Sequence, residues 1–158
     1  MKYIFLDVDG VLNNVHTTEN TPSGFVGVSR KLVKNLAEII KTTEAKIVLI
    51  SDWKIGWEAF DFCCTEDAKY LNMKLAQEGL RIYAKTYDEH VYDRFFEDRG
   101  KGIKRFLAEQ KKVDGYVVID DHVFSDFDEE IKNRLIQTDS QVGLSEQDVK
   151  RAIEILQK

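Results

Sequence analysis

Residues 3–13 read Tyr3-Ile4-Phe5-Leu6-Asp7-Val8-Asp9-Gly10-Val11-Leu12-Asn13, and this run decides the architecture. Four apolar residues make a buried-type strand that ends on two acids spaced i, i+2, so both carboxylates are held near one point at the sheet edge. The glycine behind them allows a sharp turn and the close approach of a ligand. Carboxylates packed so closely repel each other unless a cation or a shared proton offsets the charge. The run therefore predicts a site for a divalent metal and phosphate chemistry.

Working outward, strands and helices alternate. Lys2–Leu6 is the first strand. Residues 10–28 are polar and contain Pro22 and Gly24, with a β-like patch at Phe25–Val28, which predicts a loop or small hairpin. Ser29 can cap a helix over Arg30–Lys41, and Lys46–Ile50 is a second strand ending at Ser51-Asp52-Trp53-Lys54. A long helix is expected over Trp57–Gln77, stopped by Gly79, and a third strand over Leu80–Ala84. After a charged loop come a helix near Lys101–Lys111, a fourth strand over Tyr116–Ile119 ending in Asp120-Asp121, and a short strand at Leu135–Gln137. The last helix runs from Ser145 to Leu156. Strands separated by helices of this length imply a doubly wound parallel α/β sheet. With no repeat or linker, residues 1–158 read as a single Rossmann-like domain.

The composition, 43% hydrophobic and 32% charged, excludes a disordered or membrane class, and no apolar run approaches the roughly 20 residues that span a bilayer. A net charge of −5 gives no broad attraction to nucleic acid or anionic lipid. The strand at the N-terminus argues against a signal peptide. The adjacent Cys63 and Cys64 fit a reduced, cytoplasmic setting, as small apolar residues on a buried helix face.

In sheets of this kind ligands bind outside the carboxyl ends of the strands, where the strand order reverses. Asp7, Asp9, Ser51, Asp120 and Asp121 all fall at such ends. If strands one and four are neighbours, Asp7, Asp9 and Asp120 converge as hard oxygen ligands for Mg²⁺. Asp7 can then attack phosphorus, Asp9 can serve as general acid and base, and the Ser51 hydroxyl can hold a phosphoryl oxygen. A cation is needed for the remaining charge; the candidates are Lys101, Arg99 and Lys104, with Lys54 and Lys85 behind them. His16, His90 and His122 share no metal-ligand spacing, and Trp53 and Trp57 read as core or rim packing.

Taken in order, Asp7-Val8-Asp9-Gly10-Val11-Leu12, Ser51 after Ile47-Val48-Leu49-Ile50, the Lys101-Gly102-Ile103 helix start, and Asp120-Asp121 after Val117-Val118-Ile119 resemble the four motifs of haloacid dehalogenase-like (HAD) phosphohydrolases. The match covers roughly residues 1–125. More narrowly, Asp9-Gly10-Val11-Leu12-Asn13, Ser51-Asp52-Trp53-Lys54, Ile119-Asp120-Asp121 and Gly143-Leu144-Ser145 are similar to the small HAD domain of Swiss-army-knife RNA repair proteins, nearly to the C-terminus. The resemblance implies a Mg²⁺-dependent phosphomonoester hydrolase working through an aspartyl-phosphate, with Asp7 as nucleophile and Asp9 as acid/base. It implies a phosphate-binding group of Ser51, Asp52 and Lys101, with Arg99 close enough to take the lysine's role. Metal would be held by Asp7, Asp120 and the backbone carbonyl of Asp9, with Asp121 supporting and Asp126 bracing Lys101. In that domain the second motif often carries Ser and Arg where this chain has Asp52 and Lys54. The stretch 11–28 is too short for a folded cap, so the site is expected to be open to a phosphorylated small molecule or a nucleic-acid end. The alternative is a HAD-fold binding or regulatory module with weak catalysis.

Overall fold

A computed structural model describes residues 1–88 and 98–158. His90 and much of the charged loop after the third strand lie outside the described residues. Five strands, β1 (Lys2–Leu6), β2 (Lys46–Leu49), β3 (Ile82–Lys85), β4 (Gly115–Asp120) and β5 (Leu135–Gln137), form one sheet in the order β3-β2-β1-β4-β5, every pairing parallel. The helices are α1 (Arg30–Thr43), α2 (Glu66–Ala76), α3 (Arg99–Ala108), α4 (Glu129–Asn133) and α5 (Glu146–Gln157). Strands build outward from β1 to β3 on one side, then resume at β4 on the other. The order reverses between β1 and β4, whose carboxyl ends carry Asp7 and Asp120.

Alternation along β1 splits the core. Ile4 and Leu6 face a layer supplied by α1, α2 and α5, including Leu36, Leu71 and Ala152. Tyr3 and Phe5 face the opposite layer, with Ile103 and Phe106 of α3 and Ile131 of α4. Burial on both faces is why β1 and β4 read as continuous apolar runs rather than alternating ones. Among the described residues no helix is long and apolar enough to cross a membrane.

The helix expected over Trp57–Gln77 is the main correction. Asp52–Gly56 and Asp61–Cys63 are short 3₁₀ segments, and α2 starts only after Thr65, whose hydroxyl accepts the Ala68 N–H. Thr65 followed by Glu66 and Asp67 is an N-terminal signature that overrides the apolar spacing upstream of it. Cys64 is buried and Cys63 exposed, and neither is on an α-helix. The helix α4, not expected from the sequence, is capped by Asp128 through the Ile131 N–H.

Residues 13–28 form a flap tied down at several points. Tyr70 on α2 donates its hydroxyl to Glu19 at 2.6 Å and accepts the Val28 N–H at 3.1 Å. Lys74 reaches Glu19 at 3.0 Å, and Asp67 accepts the Ser23 N–H at 3.0 Å. The only pairing within the flap is an isolated bridge between Asn20 and Val26.

Candidate functional site

The β1 and β4 ends bring three acids together. Asp7, Asp120 and Asp121 each offer a carboxylate oxygen, and these oxygens lie within 4.8 Å of one another. Asp7 and Asp120 are buried. Gly10 makes the gathering possible: its φ is +80°, and any Cβ there would collide with the Asp121 carboxylate. Its carbonyl is fixed by the Thr138 hydroxyl at 2.7 Å and its N–H by Asn13 Oδ1 at 2.8 Å.

Arg99, the first residue of α3, supplies the positive charge. Its Nη1 donates to Asp120 Oδ2 at 2.9 Å and lies 3.4 Å from Asp7 Oδ1, while Nη2 is 3.5 Å from Asp52 Oδ1. The guanidinium rests over the Phe124 ring, 4.3 Å from its centroid. Asp126 holds the helix start by accepting the Gly100 N–H at 3.0 Å and the Lys101 N–H at 2.8 Å. Asp126 thus braces the backbone of Lys101, not its ammonium.

The other candidate cations point elsewhere. Lys101 is exposed, and among the described residues its ammonium makes no ion pair with the acids. Lys104 pairs with Asp128 and Glu130. Lys54 is buried against Asp88 Oδ2 at 2.6 Å and Thr86 at 3.0 Å. Lys85 donates to the carbonyls of Lys54 and Trp57 and to Glu58. Arg99, Ile103 and Phe106 are all buried, at helical spacing, so Arg99 belongs to the inward stripe of α3; Lys101 stands about 200° round the helix from it. That stripe was the available signal.

Asp9 stands at the surface beside the cluster, and its carboxylate is not part of the three-acid group. Asn13 donates to one of its oxygens at 2.8 Å and the Trp53 indole N–H to the other at 3.1 Å. The buried Asn13 also donates to the Gly27 carbonyl at 2.9 Å, so one amide links Asp9, the Gly10 turn and the flap. Asn13 closes the first motif but carried no role there, and nothing in composition singles out Thr138 or Phe124, which are visible only once the chain is folded. Ser51 is buried, and its Oγ accepts the Trp53 N–H at 3.2 Å, which leaves its own proton free to donate. Asp52 is exposed, and its contact within the site is with Arg99. A carboxylate has no proton to give a phosphoryl oxygen, so its route to one runs through that guanidinium. His16 and His122 are both exposed, and His122 stands edge-on to Phe124 at 4.6 Å.

Burial, then the charge of Asp120, pushes the Asp7 carboxyl well above the ordinary aspartate range, although Arg99 pulls the other way. Burial likewise raises Asp120 against the opposing pull of Arg99. One guanidinium therefore does not balance the cluster. Three hard oxygen donors with unbalanced negative charge are the donor set a divalent cation such as Mg²⁺ takes.

No curated protein matches the chain significantly. A family model described as the HAD domain in Swiss Army Knife RNA repair proteins matches residues 3–149. That span takes in the β1 turn, Ser51, Arg99 and the β4 acids, and with nine-tenths of its length matched the chain belongs to this family, within a superfamily of hydrolase and phosphatase type.

Proposed function

We propose that the protein is a Mg²⁺-dependent phosphomonoester hydrolase that works through a phosphorylated Asp7. The observation that carries this reading is the meeting of Asp7, Asp120 and Asp121 at the β1–β4 reversal, with Arg99 laid across two of them. Family membership supports it. Asp7 Oδ attacks phosphorus, forming an acyl-phosphate bond as the bond to the leaving oxygen breaks. Asp9, fixed in place by Asn13 and Trp53, gives its proton to that oxygen and then takes one from the water that attacks the acyl phosphate. Ser51 donates to a non-bridging oxygen. Arg99, in the position expected for Lys101, offsets phosphoryl charge and opposes the burial that favours the protonated form of Asp7. Mg²⁺, held by Asp7, Asp120 and Asp121, would supply further charge neutralisation and polarise the phosphoryl group. Substrates are phosphorylated small molecules or nucleic-acid ends, and the protein acts in the cytoplasm.

A panel of phosphomonoesters assayed with and without Mg²⁺ tests this. Hydrolysis that depends on Mg²⁺ and disappears with EDTA is expected. No turnover across nucleotides, phosphorylated oligonucleotides and sugar phosphates would instead leave a binding module.

Metal linkage gives a second readout. The raised carboxyls of Asp7 and Asp120 hold protons in the folded state that the unfolded chain releases near 3.8. Their contribution to stability is therefore full below that value and is lost as pH rises through the elevated folded values. Acids shifted the other way, Glu19, Asp114, Asp128 and Glu130, are exposed and act only near or below their ordinary range. Above the ordinary aspartate range the metal-free protein should thus lose thermal stability as pH rises. Mg²⁺ should restore it increasingly with pH. At roughly 100 times Kd the gain is about 2.7 kcal/mol, or roughly 5–10 °C for a chain of this size. A Mg²⁺ effect that shrinks with rising pH would place the cation elsewhere.

A further inference from the structure

Beside Asp9 the surface opens into a cavity of about 470 Å³, whose lining includes Asp9, Phe25, Asp52, Trp53, Ile55 and Asp67. Phe25 is 69% exposed and Ile55 46%. They come from the flap and from the 3₁₀ segment after Ser51, two separate stretches that place apolar side chains on one cavity without burying them in the core. Large apolar groups left in water around a shared concavity mark a binding surface.

Trp53 connects this cavity to the reaction centre. It lines the cavity, and its indole N–H is bonded to Asp9. Asp9 is the residue assigned to protonate the leaving oxygen, so whatever fills the cavity is the body of the leaving group. The walls are fixed in advance: the flap carrying Phe25 is tied to α2 through Tyr70, Lys74 and Asp67. Three carboxylates and no cation line the space. A second phosphate there would meet repulsion, whereas an uncharged ring would not.

We propose that this cavity is a leaving-group subsite that takes a flat, uncharged aromatic ring, of nucleobase size, carried on a single terminal phosphate. Its part in turnover rests on the phosphatase reading; its capacity to bind the ring does not. The ring can come from a free nucleoside monophosphate or from the last nucleoside of a strand. The acidic wall favours the free monophosphate, because a strand brings a further phosphodiester towards Asp52 and Asp67.

The binding test is titration of the ¹⁵N-labelled protein with nucleosides carrying no phosphate, following the Trp53 indole N–H. Trp57, buried and bonded to Asn72, is the internal reference. Saturable movement of the Trp53 signal is expected, with about tenfold weaker binding in Phe25→Ala, the scale of losing one stacking partner, and weaker binding in Ile55→Ala from lost apolar contact. An unmoved Trp53 signal, or variants that bind as the parent does, would overturn the subsite. The kinetic test is the ratio of kcat/KM for a nucleoside monophosphate to that for glycerol phosphate, which should fall about tenfold in Phe25→Ala. An unchanged ratio would also count against it. Higher kcat/KM on 5′- or 3′-phosphorylated oligonucleotides than on the free monophosphate would overturn the exclusion of a second phosphate. If nucleosides move Trp53 while no ester is hydrolysed, the phosphatase reading fails and the subsite stands.

Discussion

Replacing Asp7 by Asn should abolish phosphomonoester turnover, by on the order of 10⁴-fold or more, the scale on which loss of a nucleophile acts, while leaving the fold intact. The substitution is nearly isosteric at a buried position whose charge is disfavoured by burial and by Asp120. Removing that charge relieves repulsion, and Arg99 retains its 2.9 Å bond to Asp120. Thermal unfolding of the metal-free variant should therefore occur at or above the parent temperature. Loss of activity beside undiminished stability separates a chemical role from a structural one. Turnover of an aryl phosphate at the parent rate would reject covalent catalysis by Asp7.

Arg99→Ala should cost both stability and activity. It strips the cation from Asp7 and Asp120 and leaves space over Phe124. Removing one partner of a buried ion pair destabilises by about 3 kcal/mol or more, and loss of a charge on the transferring group costs on the order of 10²–10³-fold in kcat. Arg99→Lys should recover part of the stability but not the span from Asp120 to Asp52, because an ammonium is a compact point charge. Lys101→Ala, at an exposed position, should change stability by less than about 0.5 kcal/mol. If Lys101→Ala stops turnover and Arg99→Ala does not, the third-motif assignment reverses.

The contrast between these two residues shows what could be read from the chain and what could not. The strand ends were legible because a buried parallel strand leaves a continuous apolar signature and polar residues can follow it only at its edge. Leu135–Gln137 was legible down to its bounds for the same reason. The parallel sense followed from the alternation of strands and helices, whereas the neighbouring of the first and fourth strands, and with it the approach of Asp120 to Asp7, was a supposition that the strand order meets. The choice between Arg99 and Lys101 depends on which way a helix faces, and the signal there was the inward stripe through Ile103 and Phe106. The segment after Ser51 was misread because apolar residues at helical spacing also suit a chain that turns twice in 3₁₀ segments before Thr65 begins a true helix. Contacts such as Asn13 to Asp9 and Thr138 to Gly10 join residues through single polar atoms, and no periodicity announces them.

The tethering of the flap by Tyr70, Lys74 and Asp67 bears on how the protein would cycle. Among the described residues, this wall is already tied down before an ester arrives and need not swing aside for the alcohol that departs. On the proposed reading the flap need not rearrange before bond making and breaking at phosphorus.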